Sequence, residues 1–114
     1  MHKADLIRLR HMLDAAQEAI TFVHGRSRDD LDMNRQLALS LVKEIEIIGE
    51  AAHQISEATK AEIQNIPWED IVAMRHRLVH AYFEINLDIL WQTVQQDLPF
   101  LISILEPVIT SELK

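Results

Sequence analysis

The residues best suited to chemistry lie close together in the second half of the chain. Within eight positions the sequence places two guanidiniums, two imidazoles and a phenol: Arg75, His76, Arg77, His80 and Tyr82. Histidine titrates close to neutral pH and can move protons, and arginine binds phosphate or carboxylate through paired hydrogen bonds. Together these residue types predict proton transfer beside a bound anion.

Helical periodicity places Arg75 in an unusual position. With about 100° per residue, a helix over residues 67–80 puts Arg75 in the middle of an apolar face formed by Trp68, Ile71, Val72, Leu78 and Val79. Arginine is rarely buried without a partner. We therefore expect Arg75 either to pair with Glu46 or Glu50 of the preceding helix or to line a groove that binds an anion. Arg77 points away from this face, as a surface charge would.

The two motif histidines could in principle bind a metal. His76 and His80 are spaced i and i+4, so that one helical turn could present both as ligands. A zinc site also needs a third protein ligand and supporting hydrogen bonds, and the sequence offers no obvious candidate. We therefore expect no metal and no other cofactor. The plainest structural alternative is a solvated helix end in which Arg75 only forms an ion pair.

Composition favours one folded domain over residues 1–114, since 48% of the residues are apolar and 25% are charged. The absence of cysteine excludes disulfides and thiol chemistry and is typical of a cytoplasmic protein. The charged amino-terminal segment argues against a signal peptide, and no segment has the roughly 18 apolar residues of a membrane span. A net charge of −7 disfavours nonspecific attraction to nucleic acid, so any RNA contact must be local.

Apolar residues recur at three- and four-residue steps along most of the chain, which predicts helices. The predicted helices cover about residues 3–24, 29–57, 67–80 and 87–105. Gly25 should end the first, Ser27 or Asp29 should begin the second, and Asn86 should begin the last. Pro99 should kink or break the last helix near Asp97 and Leu98. No β pattern competes, so we expect an all-α, antiparallel up-and-down bundle of four main helices.

The motif also resembles a known signature. Arg75-His-Arg-Leu-Val-His80-Ala-Tyr82 is similar to the Arg-x4-His-x-Tyr motif of the HepT toxins, which belong to the HEPN class of helical ribonucleases. The likeness extends to flanking blocks and covers about residues 37–101. These blocks are Ile48-Gly-Glu-Ala-Ala, Ile66-Pro-Trp, Phe83-Glu-Ile and Asp97-Leu-Pro. One departure is His76, where the family often has asparagine.

The resemblance implies a metal-independent endoribonuclease that acts on tRNA or mRNA. It implies a homodimer in which two motif helices form a shared cleft, with Arg75 and His80 as the catalytic residues. Arg75 would bind the phosphate and His80 would transfer protons. We expect His76, Arg77 and Tyr82 to support the site or contact RNA. On a continuous helix Arg75 and His80 would lie about 140° apart; a helix that unwinds near His80, or the pairing of two motifs, removes that difficulty.

The resemblance also implies a partner. Family members are commonly encoded beside a nucleotidyltransferase antitoxin that transfers AMP to the tyrosine of the motif, here Tyr82, and toxin and antitoxin could form larger hetero-oligomers. A modified tyrosine would occupy the position that an RNA phosphate needs. The rival hypothesis is a non-catalytic, dimeric binding partner of a nucleotidyltransferase, with Arg75 and His80 only structural. The acidic charge favours the rival, and the intact motif disfavours it.

Overall fold

The computed structural model of the protein describes residues 1–81 and 84–113, without the side chains of residues 80 and 81. The helices are α1 (Lys3–Phe22), α2 (Arg28–Met33), α3 (Arg35–Gln54), α4 (Glu57–Glu62), α5 (Trp68–Leu78), α6 (Leu87–Gln92) and α7 (Leu98–Glu112). Helix α1 packs on α3, α3 packs on α5, and α7 returns to pack on α1. The predicted all-α bundle is confirmed.

Neighbouring helices run antiparallel. Arg8 near the start of α1 donates a hydrogen bond to the backbone oxygen of Gln54 at the end of α3, at 3.4 Å. Near the end of α5, Arg75 meets Glu46 in the middle of α3. Apolar stripes on these helices meet in one core, whose largest fully buried side chains include Leu9, Met12, Leu41, Ile45, Ile48, Ile66, Leu78, Leu90, Leu98 and Leu105. Burying such stripes supplies most of the stability of helices this short.

A polar contact fixes one end of the α1 and α3 pair. The buried carboxylate of Asp5 accepts hydrogen bonds from Ser56 N at 3.1 Å, from Ser56 Oγ at 2.6 Å and from Thr59 Oγ1 at 2.7 Å. The hydrogen bond from the Ser56 side chain is the main reason why the pKa of Asp5 lies below its ordinary value. Because the carboxylate is satisfied on several sides, it joins the start of α1 to the start of α4.

The second predicted helix is divided, which corrects the expectation of one helix over residues 29–57. Ser27 begins α2 through a reciprocal capping box with Asp30. At Asn34 the backbone leaves the helical region, with φ −133° and ψ 91°, and the Asn34 side chain accepts a hydrogen bond from Leu37 N at 3.0 Å. An asparagine side chain accepts hydrogen bonds from the free backbone N–H groups at a helix start, and asparagine is less favourable inside a helix. Apolar periodicity alone therefore missed this break.

The motif helix is shorter than expected. Helix α5 ends at Leu78, and residues Val79–Ala81 form strand β1, which pairs antiparallel with β2 (Glu84–Ile85). The backbone N–H of Asn86 donates to Leu78 O at 2.7 Å and so satisfies a carbonyl at the helix end. The expectation that no strand forms is wrong here, because β-branched Val79 and Ile85 are cross-strand partners in a pair too short to show an alternating pattern.

The last helix is continuous but irregular before Pro99. The segment Thr93–Asp97 forms a π-helical turn between α6 and α7, and Leu98 N–H donates to Thr93 O. Proline lacks an N–H and clashes with the preceding turn, and the wider π-helical turn accommodates both effects. The helix does not break near Asp97 and Leu98 as one alternative of the prediction had it, and its departure from α-helical geometry lies at Thr93–Asp97. Asn86 begins α6 as predicted, with its side chain accepting from Ile89 N. None of the helices that the structure describes is long and apolar enough to cross a membrane.

Candidate active site

Arg75 lies at the edge of the contact between α3 and α5. Its side chain is 43% exposed, and its Nε donates to Glu46 Oε1 at 2.8 Å, with Glu46 34% exposed. Arg75 therefore lies at the edge of the face that is buried, and not in its middle as the predicted apolar face implied. The face of α5 that is buried carries Ile71, Met74 and Leu78 at helical spacing, and Met74 was missing from the predicted face.

The ion pair holds one edge of the guanidinium. Among the described residues, Arg75 Nη1 and Nη2 make no hydrogen bond, and Glu46 engages only Nε. Glu50, the other carboxylate considered as a partner, lines the same cleft one helical turn further along α3 without forming an ion pair to Arg75. Glu46 thus holds the guanidinium through Nε, and Nη1 and Nη2 can bind a ligand.

Helices α3 and α5 cross at Gly49. A Cβ atom at Gly49 would lie 3.5 Å from Ile71 O and 3.7 Å from Val72 O of α5. Helix α5 therefore crosses α3 at Gly49, with room for a methyl group in ordinary van der Waals contact. The crossing sets the register of the two helices, because Glu46 and Arg75 lie one helical turn from it on their respective helices.

A cleft of about 250 Å³ opens beside the crossing. It is lined by Ile45, Glu46, Gly49, Glu50 and His53 of α3 and by Val72, Arg75 and His76 of α5. His53 was not singled out from the sequence, although it follows the Ile48-Gly-Glu-Ala-Ala block by a single position. His53 and His76 also line a second groove of about 750 Å³, which leads past Trp68 and Lys60. The cleft therefore continues along α5 away from Arg75.

Arg77 lies on another side of α5. Its Nη2 donates to the backbone oxygen of Asp70 at 3.1 Å, and it lines a separate cavity of about 130 Å³ with Asp97, Leu98 and Phe100. The structure thus brings Arg75 and His76 to one cleft and leaves Arg77 outside it. All three basic residues lie in the last turn of α5, where the helix dipole favours positive charge.

His80 follows the end of the motif helix by two residues, and its backbone belongs to β1. The helix ends before His80, which is one of the two arrangements that remove the 140° difficulty, and His76 and His80 do not share a helical turn. The side chain of His80 and the whole of Tyr82 lie outside the described residues. Elsewhere in the part of the chain that the structure describes, no three or more His, Asp or Glu side chains form a group that could hold a metal ion.

The fold and the cleft define a class: a helical bundle with an arginine at a helix crossing and a histidine just beyond the helix end. The ribonuclease HepT-like family model matches residues 12–108, and the chain belongs to that family. No solved structure matches the chain.

Three relatives show how far the similarity extends. A "Putative RNase" of Methanocaldococcus jannaschii is 31% identical over 91 residues, which cover 80% of this chain and 84% of that protein. A "Putative RNase" of Caldanaerobacter subterraneus subsp. tengcongensis is 33% identical over 91 residues, covering 80% and 81%. The "Probable ribonuclease HepT" of Thermococcus cleftensis is 33% identical over 93 residues, covering 78% and 84%.

Proposed function

We propose that this protein is a metal-independent endoribonuclease, and that Arg75 and His80 carry the reaction. The observation that carries the proposal is the position of Arg75, which is half-exposed in a cleft and held through Nε by Glu46. The contact to Glu46 uses only Nε, which leaves Nη1 and Nη2 to bind a phosphate. Membership of the HepT-like ribonuclease family supports the same activity.

The proposed reaction uses the ribose 2′-hydroxyl of RNA as the nucleophile. A general base removes its proton, the 2′-oxygen bonds to phosphorus, and the bond from phosphorus to the 5′-oxygen breaks. A general acid protonates the leaving 5′-oxygen, so that a 2′,3′-cyclic phosphate and a 5′-hydroxyl remain. His80 suits the proton transfers, and Arg75 Nη1 and Nη2 suit the charge that develops on the phosphate. His76, at the cleft wall, is placed to contact the RNA.

We propose that the active form is a homodimer. Each chain supplies one Arg75 and one His80, whereas base and acid catalysis together need two proton-transfer groups. A second copy would supply the second histidine. The surface next to the cleft also suits an interface: a groove of about 650 Å³ between α1 and α3 shares Glu46 and Glu50 with it and carries Ile7. The side chain of Ile7 is 46% exposed, as expected of an apolar residue that a partner would cover.

Regulation is the second part of the proposal. We propose that the protein is the toxin of a toxin–antitoxin module and that a cognate nucleotidyltransferase transfers AMP from ATP to Tyr82. In that transfer the Tyr82 oxygen bonds to the α-phosphorus of ATP, its proton goes to solvent, and pyrophosphate leaves. Tyr82 follows His80 by two residues, so AMP there would place bulk and negative charge near Arg75.

Co-expression tests the toxin and its neutralisation. The parent chain expressed alone should stop growth and degrade cellular RNA, and the nucleotidyltransferase should restore growth while the chain gains the mass of one AMP on the Tyr82 peptide. Tyr82→Phe removes only the acceptor oxygen, so it should remain toxic beside the nucleotidyltransferase. If Tyr82→Phe is neutralised as fully as the parent, binding and not modification is what inhibits the protein.

A non-catalytic role as a binding partner is the second candidate, and the net charge of −7 favours it because RNA phosphates are repelled by an acidic protein. The same co-expression experiment separates the two roles. If the parent and His80→Ala both arrest growth while cellular RNA stays intact, the protein acts by binding and the nuclease proposal is wrong.

A further inference from the structure

Two carboxyl groups, those of Glu18 and Glu44, line a groove separate from the candidate cleft and have no role in the proposed reaction. Glu44 of α3 is 4% exposed, within a run of buried apolar residues that includes Leu41 and Ile45. Its Oε2 is buried and has no hydrogen-bond partner among the described residues. Glu18 of α1 is exposed and lines the same groove, and its proximity contributes to the raised pKa of Glu44. A leucine at position 44 would pack without this polar cost, so the pair requires an explanation.

The pair opens onto a groove between α1 and α3 of about 650 Å³. Two apolar side chains flank the carboxyls in this groove: Phe22 is 36% exposed and Leu39 is 47% exposed. The other charged residues of the groove are Arg35 and Lys43 of α3, and neither contributes to the pKa shift of Glu44. The groove thus combines apolar walls with two carboxyl groups, and none of the ion pairs found among the described residues includes Glu18 or Glu44.

We propose that this groove is a docking site for a basic segment of a partner protein, in which one arginine or lysine side chain meets Glu18 and Glu44. An arginine or lysine side chain matches the groove because its apolar stem can lie along Phe22 and Leu39 while its charged end reaches the carboxyls. A basic partner also fits the whole chain, whose net charge of −7 attracts it. The inference does not depend on the nuclease activity.

The protonation of the pair gives this docking a measurable signature. Burial, together with the proximity and the charge of Glu18, raises the pKa of Glu44 to about 7. Near neutral pH the pair therefore holds one proton for part of the time. A guanidinium placed against both carboxylates stabilises their charged forms and releases that proton to the buffer. Binding should consequently strengthen as the pH rises from 6 to 8, by up to about tenfold for one proton with a pKa near 7.

The experiment uses the full-length protein and a blocked peptide, acetyl-Leu-Arg-Leu-amide, with acetyl-Leu-citrulline-Leu-amide as the neutral control. Nuclear magnetic resonance titrations at pH 6 and pH 8 should show shifts of the signals of Glu18, Phe22, Leu39 and Glu44 for the arginine peptide, with tighter binding at pH 8. Glu44→Gln keeps the shape of the side chain and should abolish the pH dependence. Glu18→Gln tests the exposed partner separately, and Glu62→Gln, at an exposed carboxylate outside the groove, should leave binding and its pH dependence intact.

Three results would overturn the proposal. The first is equal binding of the citrulline peptide, or no shift of the groove signals at millimolar peptide. The second is unchanged pH dependence in both Glu44→Gln and Glu18→Gln. The third is a self-association in sedimentation experiments that Leu39→Glu abolishes, since the groove would then be a contact between two copies of this chain.

Discussion

Arg75 and Glu46 form an ion pair across the crossing of α5 and α3, with 2.8 Å between Nε and Oε1. The two side chains are 43% and 34% exposed, and such a half-exposed pair contributes only about 0–1 kcal/mol to stability. Its main effect is geometric. It restrains the guanidinium at the wall of the cleft, and the side chain loses less freedom when a phosphate binds.

Removing Glu46 should therefore lower activity more than stability. Glu46→Ala should reduce kcat for RNA cleavage by about tenfold, because Arg75 loses the contact that positions it. Glu46→Gln retains an acceptor oxygen for Arg75 Nε and should retain most of the activity. The measurements are kcat and KM on a defined RNA, with the thermal unfolding midpoint as a check of folding.

Glu50→Ala is the comparison that isolates this effect. It removes a carboxylate from the same cleft without touching the ion pair, so it should reduce the repulsion of RNA and lower KM without lowering kcat. If Glu46→Ala behaves like Glu50→Ala, Glu46 is only one more negative charge in the cleft and does not position Arg75.

Dimerisation should depend on the surface beside the cleft. The parent should sediment as a dimer at micromolar concentration, and Ile7→Glu should shift it towards monomer, because a charge would then lie in the groove next to Glu46 and Glu50. Phe100→Glu is the control, since Phe100 is 55% exposed but lies beside Arg77, outside the cleft. A parent protein that is monomeric under these conditions would contradict the shared-cleft proposal.

Gly49→Ala should stabilise the fold. The added methyl group would make ordinary contact with Ile71 O at 3.5 Å, and alanine favours the helix by about 1 kcal/mol over glycine. We expect the free energy of unfolding in a urea titration to rise by up to about 1 kcal/mol. Gly49→Leu should lower it, because the rest of a larger side chain has no room against the carbonyls of α5. Destabilisation by Gly49→Ala would mean that the helices cross more closely than the structure shows.

Stability should fall as the pH rises through 7, because of Glu44. The ordinary pKa of this group is 4.5 and the folded-state pKa is about 7, so the folded state binds the proton more tightly than the unfolded state. This contribution is complete below pH 4.5 and is lost above pH 7, which corresponds to about 3 kcal/mol. Relative to the parent, Glu44→Gln should therefore gain stability between pH 5 and pH 8 in denaturant titrations, whereas Glu62→Gln should track the parent. A constant difference between parent and Glu44→Gln across this range would contradict the raised pKa.

The sequence predicted the bundle because apolar stripes on α1 and α3 are long and regular, so that burying them leaves few other arrangements. It missed the break at Asn34, where the local hydrogen bond to Leu37 outweighs a periodic pattern that continues across it. It also missed the β1 and β2 pair, since two or three residues per strand are too few to establish a period of two.

The candidate cleft was predictable only in part. The residue types and spacing of Arg75 and His80 indicated the chemistry, and Glu46 followed from the need of a guanidinium for a partner. The half-exposed position of Arg75 could not be predicted. An angle of 100° per residue gives the direction of each side chain, but it does not show where the neighbouring helix ends the buried face. His53 reaches the cleft only because α3 and α5 cross at Gly49, and such a register between helices cannot be obtained from either helix alone.

The most direct test of the proposed function is RNA cleavage by purified His80→Ala protein in the presence of EDTA. The parent should cut RNA under these conditions, and His80→Ala should be slower by about a hundredfold or more, since removal of a proton-transfer group costs at least that much. The control is His24→Ala, which removes an exposed histidine beyond the end of α1 and should cut at the parent rate. If His80→Ala cleaves as fast as the parent, or if EDTA abolishes cleavage by the parent, the proposed metal-independent mechanism is wrong.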